Sequence, residues 1–445
     1  MSMDREKIID FLNANYVSVF INHPILGKID LWPLIRVQLY SQLIKNLENL
    51  STSKDERKST IFEKIVSIPS RLRSIAECFF IKKNERLLLG ANSHRVDHEG
   101  SSFNRFFDPE LTKNGLLLEY AGKRDVNYYS KTIELFEVLP IWSFFSGYNK
   151  YSIKEAELFK LRCLLDVVSK RFGCPFLNFE STILTSLRTI GKWENLFTFL
   201  LKKSRAQEVV ALCYYSNPVF GAFLAASRIG VKKVDLQHGP QTSTHGAYGK
   251  WKYIFKNHNY LMPNEFWTWD ESSAKTINDF TLNPEYHRSV VYGNDWIKYW
   301  KNKNSKMAIP NSLYLLSLQP LETPIPSDFL NFMAKTAGDG VFWWIRFHPR
   351  QTLLDYAFVK ELLINHITND ESFFLDKGNE FPLPEILKNT SVHFTCFSGT
   401  ALEAAEFNIP TYFLDSRACD LIVQRPKLFF WFRDFKIGWE KFEVE

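Results

Sequence analysis

No run of roughly 18 apolar residues, the length that would read as a membrane-spanning helix, occurs in the 445-residue chain. Cysteine is sparse. The six (Cys78, Cys163, Cys174, Cys213, Cys396, Cys419) show no CxxC spacing and no His at a zinc-ligand interval. A disulfide scaffold and a zinc module are therefore not expected, and the thiols read as free and mostly buried. Glycine is also low, at 19 residues, which excludes collagen-like and glycine-repeat classes. A large excess of either charge sign is lacking. Lys+Arg 55 against Asp+Glu 49 leaves +6, too small an excess for an obligate nucleic-acid binder. The opening MSMDREKIIDFLNANY has early acids and no long apolar core. It does not read as a secretory signal, so a cytoplasmic protein is expected.

What is present is a globular composition, 45% hydrophobic and 23% charged, unusually rich in Phe (39 residues). Against a typical domain of roughly 100–200 residues, the length suggests two or three domains. Residues 1–85 read mainly as helix, as at Ile8–Leu12 and Leu34–Leu39. The basic stretch 54–86, with Phe62, Ile65, Ile68, Leu72, Ile75 and Phe79 interleaved, fits two readings: a membrane-surface helix, or a solvated helix packed on its domain. The aromatics Trp142, Phe144 and Phe145 could assist a peripheral contact with an inner membrane face.

From Arg86 onward, short apolar runs alternate with helical stretches. Strands are expected at 87–90, 116–120, 208–215, 233–238, 266–269 and 289–293, with long helices across 153–202 and a helix over 219–229. Residues 297–311, polar, basic and proline-containing, read as a linker. A second alternating set follows: strands near 313–318, 341–347, 392–395 and 411–414, and helices near 326–338, 354–366, 385–387 and 400–407. The expected fold is α/β, with a helical N-terminal segment (1–85) and two doubly wound Rossmann-like domains (86–300 and 301–445) facing a cleft.

Open parallel sheets bind ligands at the carboxyl ends of their strands, and three strand ends carry suitable chemistry. The first is Gln237-His238-Gly239, followed by Thr242, Ser243, Thr244 and His245. An imidazole there can take a proton from a hydroxyl or bind an anionic oxygen, with Gly239 allowing a tight turn. It could equally hydrogen-bond its own loop. The second is Arg346-Phe347-His348-Pro349-Arg350. Guanidinium groups grip phosphate bidentately and an imidazole N–H adds a bond, Pro349 limiting the backbone. The alternative is a surface salt-bridge cluster. The third is Ser398-Gly399-Thr400 leading into a helix, where hydroxyls and free backbone N–H groups can hold an anion or simply cap the helix. Glu403, one turn on, could reach ribose hydroxyls. His94, Arg95, Asp97, His98, Asn104, Arg105 and Asp108 follow the first strand and could line an acceptor side. No P-loop, no HExxH and no metal cluster is found.

The set resembles GT-B glycosyltransferases. Ser398–Leu414 (SGTALEAAEFNIPTYFL) is similar to the donor-binding helix of that fold. Glu403 stands seven residues before Pro410, the spacing of a ribose-binding Glu in many members. Thr395 occupies the place where many retaining members carry a second Glu, so that signature is missing. A narrower resemblance is to bacterial capsule and lipopolysaccharide transferases, which use CMP-linked sialic acid or Kdo, and to teichoic-acid glycerophosphotransferases. Their His-Gly, (R)xHP and Ser-turn elements appear here in order, as Gln237-His238-Gly239, Arg346-Phe347-His348-Pro349 and Ser398-Gly399-Thr400.

This resemblance implies that Arg346, His348, Pro349, Arg350, Ser398, Gly399, Thr400 and Glu403 bind the nucleotide donor. It makes His238 and His348 the catalytic pair, and Gln237, Gly239, His245, Arg105 and Asp108 the acceptor side. The implied substrates are a CMP-, CDP- or UDP-linked sugar and a glycan or lipid-linked oligosaccharide, with no separate cofactor, metal or nucleic acid. A CDP-polyol phosphotransferase and a non-catalytic component of a polysaccharide assembly complex remain as alternatives.

Overall fold

A computed structural model of the chain describes residues 2–47, 68–122, 127–251, 259–280, 285–303, 312–367, 370–378, 381–437 and 440–441. The chain divides into two compact units. One comprises Met3–Arg95 with Glu99–Gly293; the other comprises Asn294–Glu445 with Val96–His98 and Met1–Ser2. Each is built on one parallel sheet, so both expected Rossmann-like domains are present.

The first unit opens with helix Ser2–Ala14, then a hairpin of β1 (Phe20–His23) and β2 (Gly27–Asp30), then helix Trp32–Leu47. The hairpin was not expected in a segment read as helix. Its turn closes on Gly27, whose φ of +75° is costly for other residues. Helix Ile68–Phe79 follows; residues 54–67 of the expected basic helix lie outside the described residues. Next come β3 (Arg86–Gly90), the short β4 (Arg95–His98) and β5 (Ser101–Asn104), β6 (Gly115–Glu119), β7 (Thr132–Glu134), β8 (Glu208–Ala211), β9 (Lys232–Leu236), β10 (Glu265–Thr268) and β11 (Arg288–Val291). The seven-stranded sheet runs β11-β10-β9-β8-β3-β6-β7. Leu87, Leu88 and Leu89 are fully buried, as expected of a central strand covered on both faces. Residues from the first 85 (Ile8, Trp32, Leu39) share one core with Leu87, Val209 and Phe223.

Two long helices cover this sheet. Phe179–Ser204 packs closely on Asn217–Ile229. A Cβ at Gly221 would sit 2.5 Å from Trp193 Cβ and 2.8 Å from the Ile190 carbonyl oxygen, so glycine sets the separation of the two helix backbones.

The second unit contains β12 (Leu313–Ser317), β13 (Phe342–Arg346), β14 (Phe373–Asp376), β15 (Thr390–Thr395), β16 (Thr411–Phe413) and β17 (Phe429–Trp431), ordered β14-β13-β12-β15-β16-β17. β14 and β17 were not expected. The abundant Phe is used here. Phe329, Phe332, Trp343, Phe394, Phe432 and Phe435 form one ring cluster, with centroids 4.9 Å apart for Phe329–Phe432 and 5.2 Å for Phe332–Phe435.

The expected linker 297–311 is partly a helix, Asp295–Lys301. Asn294 caps it by accepting from Ile297 N–H, and Trp296, Ile297 and Trp300 are buried. Its apolar residues fall at helical spacing, but intervening lysines made the composition look like a linker. The helix packs against Leu383–Leu387 and belongs to the second unit. Residues 304–311 lie outside the described set.

Candidate functional site

Strand order fixes where a ligand can enter each sheet. In the first, the chain lays β3, then β6 and β7 to one side, then returns to place β8, β9, β10 and β11 on the other. In the second, β12, β13 and β14 go one way before β15, β16 and β17 go the other. The reversals fall between β3 and β8, and between β12 and β15. Loops part at such points and leave a crevice outside the strand ends.

At the first reversal the loops after β3, β8 and β9 bring three histidines and a cysteine together. Nε2 of His238 lies 3.1 Å from Cys213 Sγ. The His94 ring centroid is 6.3 Å from that of His238. His245 packs against Tyr248 at 4.9 Å and Tyr215 at 5.7 Å. Cys213 has a left-handed φ of +58°, a cost for a residue with a Cβ. Burial lowers the His238 pKa to about 4, and the nearby Arg105 charge adds to this; a bond to the Leu236 carbonyl opposes it. His94 falls to about 3, from burial first and then the charges at His238 and Arg105. His245 also falls to about 3, from burial, then His238, Arg5 and Arg36. All three rings are neutral at pH 7, and each neutral imidazole keeps one ring nitrogen unprotonated.

Not every expected residue of this end faces the crevice. Gln237 is fully buried. Its amide donates to the Gly239 carbonyl (3.0 Å) and Ser273 Oγ (3.2 Å), and its oxygen accepts from Trp269 N–H. It fixes the turn after β9. Asp108 is buried and accepts from Asn104 N–H at 2.6 Å and from the Ser130 hydroxyl, so it shapes its own loop. Gly239 does not need a left-handed φ, and a Cβ there would meet nothing within 4 Å. The tight-turn role expected of it is thus replaced by open space beside His238. Arg105 lies over Phe106, 4.8 Å from its centroid, within electrostatic reach of His94 and His238. Sequence reasoning noted Cys213 only as a free thiol. The available signal was its position directly after an apolar strand and before Ser216-Asn217-Pro218.

At the second reversal Ser317 pairs in register with Arg346 on one side and Thr395 on the other. With strands spaced roughly 4.8 Å apart, the peptides leading to His348 and Ser398 leave the same sheet edge roughly 10 Å apart. His393 is fully buried and bridges Ser317 Oγ and Thr411 Oγ1, both at 3.0 Å. Thr395 Oγ1 donates to the Ser317 carbonyl at 2.8 Å and accepts from Ser398 N–H at 3.3 Å. The turn at Ser398 is thereby tied to the sheet.

His348 is half-buried. Its Nδ1 accepts from Arg350 N–H at 3.1 Å, and its own N–H donates to Gln351. That bond puts the proton of the neutral ring on Nε2, which becomes a donor. Burial, then the Arg350 charge, lowers its pKa. Pro349 and Arg350 are exposed. Arg346 departs from the expected phosphate grip. Its guanidinium bonds Asp376 and the Phe381 and Gly378 carbonyls, closing β13 onto β14 and the loop beyond it.

In the Ser398-Gly399-Thr400 turn the hydroxyls of Ser398 and Thr400 are 3.0 Å apart. The free N–H groups expected at this helix start are mostly used. Thr400 N–H donates to Ser398 Oγ, Ala401 N–H to the Ser398 carbonyl and Leu402 N–H to the Gly399 carbonyl. The two hydroxyls are therefore the principal polar offering. Glu403 is buried in the first turn of helix Thr400–Glu406. Gln319, which follows β12 and was not singled out from sequence, is 8% exposed. Beyond β15, at the ends of β16 and β17, a cavity of about 320 Å³ is lined by Pro326, Asp328, Phe413, Asp415, Trp431 and Arg433, among others. Among the described residues no group of three or more His, Cys, Asp or Glu is placed to hold a metal ion.

No family model matches the chain, and no curated protein matches it. Solved structures with a similar course include UDP-GlcNAc 2-epimerase from Methanocaldococcus jannaschii, at 12% identity over 77% of this chain and 87% of that one, TM-score 0.43. The S. aureus MnaA–UDP co-structure is 14% identical over 75% and 80%, TM-score 0.41. Os79 T291V from O. sativa in complex with UDP is 10% identical over 55% and 68%, TM-score 0.35. Likenesses this distant carry no argument about activity, which rests on the residues described above.

Proposed function

We propose that the chain is a glycosyltransferase that moves a sugar from a nucleotide-activated donor to a bacterial surface polysaccharide acceptor. A CMP-linked acidic sugar such as Kdo or sialic acid is the favoured donor, and a glycan or lipid-linked oligosaccharide the acceptor. The observation that carries this reading is the chemistry at the second sheet's reversal. The Nε2–H of His348 and the paired hydroxyls of Ser398 and Thr400 follow strands that end at one sheet edge. Donors so fixed suit phosphate oxygens whose charge grows as the glycosidic bond to phosphate breaks. The preference for CMP rests on the order of the three motifs in the sequence.

The second requirement is a base. The acceptor hydroxyl loses its proton as its oxygen attacks the anomeric carbon, and the electron pair of the breaking C–O bond leaves with the nucleotide phosphate. His238, neutral at pH 7 and so with one ring nitrogen unprotonated, can receive that proton. An anionic substrate beside it raises its pKa from about 4 toward the range useful for proton transfer.

Incubating the protein with CMP-, CDP- and UDP-linked sugars and acceptor glycan, and identifying both products, tests the reading. Release of the nucleotide with a new glycosidic bond supports it. CMP release with a new phosphodiester would instead indicate polyol-phosphate transfer. Absence of any nucleotide binding by the folded chain would favour a non-catalytic assembly component.

A further inference from the structure

We propose that the first unit docks on an anionic lipid surface through an aromatic and lysine-rimmed face formed by the ends of three helices. Helix Leu135–Phe145 (LFEVLPIWSFF) ends in two phenylalanines exposed by 82% and 81%, their rings 5.1 Å apart. Helix Ile68–Phe79 and the residue after it add Leu72, Phe79 and Phe80, exposed by 59%, 48% and 77%. Leu72 and Phe79, seven residues apart, lie on one helix face.

The two helices meet at Phe79 and Trp142. Phe79 contacts Trp142 at 6.1 Å and Phe199 at 5.3 Å, and Trp142 contacts Phe199 at 4.7 Å. The Trp142 indole N–H donates to Asn195 at 2.7 Å, leaving an apolar body beside a polar tip, the arrangement favoured at water–lipid boundaries. Contiguous exposed aromatics of this kind mark an interaction surface.

The rim identifies the occupant. Phe199 lies in helix Phe179–Ser204, whose end carries Lys202 and Lys203, followed by Arg205. Asn84 N–H donates to the Ser204 carbonyl at 3.0 Å, which sets Lys82 and Lys83 alongside them. All five cations are exposed. Nearby acids are engaged, Glu77 by Arg73 at 2.9 Å and Glu85 by Arg86 at 3.4 Å. A second copy docking symmetrically would press this cationic rim against itself. A surface of negative headgroups over hydrocarbon matches both the charge and the apolar centre.

Cosedimentation of the full chain with vesicles tests the proposal. Binding to phosphatidylcholine vesicles containing phosphatidylglycerol is expected, with little binding to phosphatidylcholine alone and weakening as salt rises. The F144S/F145S variant should lose about tenfold or more of that binding, since each phenylalanine inserts apolar area. K82E/K83E/K202E/K203E should lose it at low salt. Both variants change exposed side chains, and an unchanged thermal midpoint shows that they fold. Three results would overturn the proposal: wild type unbound to the anionic vesicles, either folded variant bound as well as wild type, or a wild-type dimer in solution that F144S/F145S dissociates while leaving vesicle binding intact.

Discussion

Thr395 Oγ1 donates to the Ser317 carbonyl at 2.8 Å, fastening β15 to β12 where the strand order of the second sheet reverses. The same hydroxyl accepts from Ser398 N–H. One threonine therefore joins the sheet to the turn that offers its hydroxyls at the crevice.

His348 should behave as a donor fixed by its own loop. The Arg350 N–H bond to Nδ1 leaves the proton of the neutral ring on Nε2. His348→Ala is expected to lower kcat by about 10²–10³, the range for losing one transition-state hydrogen-bond donor. Steady-state kinetics checks this, with an unchanged melting midpoint as the folding control. Wild-type turnover would remove His348 from the mechanism.

The pH profile should report His238. Burial and Arg105 hold its pKa below the usual 6.5, at about 4 in the free protein. A base must be unprotonated, so kcat/KM should rise as pH increases through that lowered value and be level from about pH 6.5 upward. Arg105→Gln removes a positive neighbour and should move the acid limb to higher pH, by up to about one pH unit. A limb that shifts the other way, or stays fixed, would contradict the assignment.

Stability should also depend on pH through His393. Burial lowers its pKa from 6.5 to about 3. Between those values the unfolded chain binds a proton that the folded one refuses, so stability falls as pH drops from about 6.5 toward 3 and is unaffected above. One such group contributes a slope of about 1.4 kcal/mol per pH unit. His393→Gln should unfold more easily at pH 7, having lost part of the bridge between Ser317 and Thr411. Its stability should then decline less steeply from pH 6.5 to 4 in urea titrations. His94, His238, His245 and His287 have the same sign, so the difference in slope is the diagnostic quantity.

Gly221 tests the packing of the first unit. Its Cβ would meet Trp193 and the backbone of Ile190 and Glu194 within 2.8 Å, and backbone yields less easily than a flexible side chain. Gly221→Ala should cost about 1–3 kcal/mol by overpacking, despite the better helix propensity of Ala. Urea unfolding measures it.

Much of this architecture could be read from the chain. Leu87–Leu89, Val209–Ala211, Leu313–Leu316 and Phe342–Ile345 are short apolar runs, and each lies in a sheet strand. Alternation with helices then gave two parallel sheets. The hairpin at Phe20–Asp30 escaped because its strands are four residues long and lie between helices. Helix Asp295–Lys301 was masked by its lysines.

The strand-end rule located His238, His348 and Ser398 because it needs only local order. It could not assign Arg346, Gln237 or Asp108, whose partners Asp376, Ser273 and Ser130 lie 30, 36 and 22 residues away in the chain. Whether a polar side chain faces a ligand or a neighbour is decided by tertiary contacts. The same limit hid the Cys213–His238 pair.

The most direct measurement is isothermal titration of CMP, CDP and UDP into the wild-type chain and into S398A/T400A. The account predicts that at least one nucleotide binds wild type and that the variant, still folded, binds it at least about tenfold more weakly, as expected for losing a hydrogen bond to a charged oxygen. Equal affinity of wild type and variant, or heat-silent titrations with all three nucleotides confirmed by an unmoved melting midpoint, would contradict it.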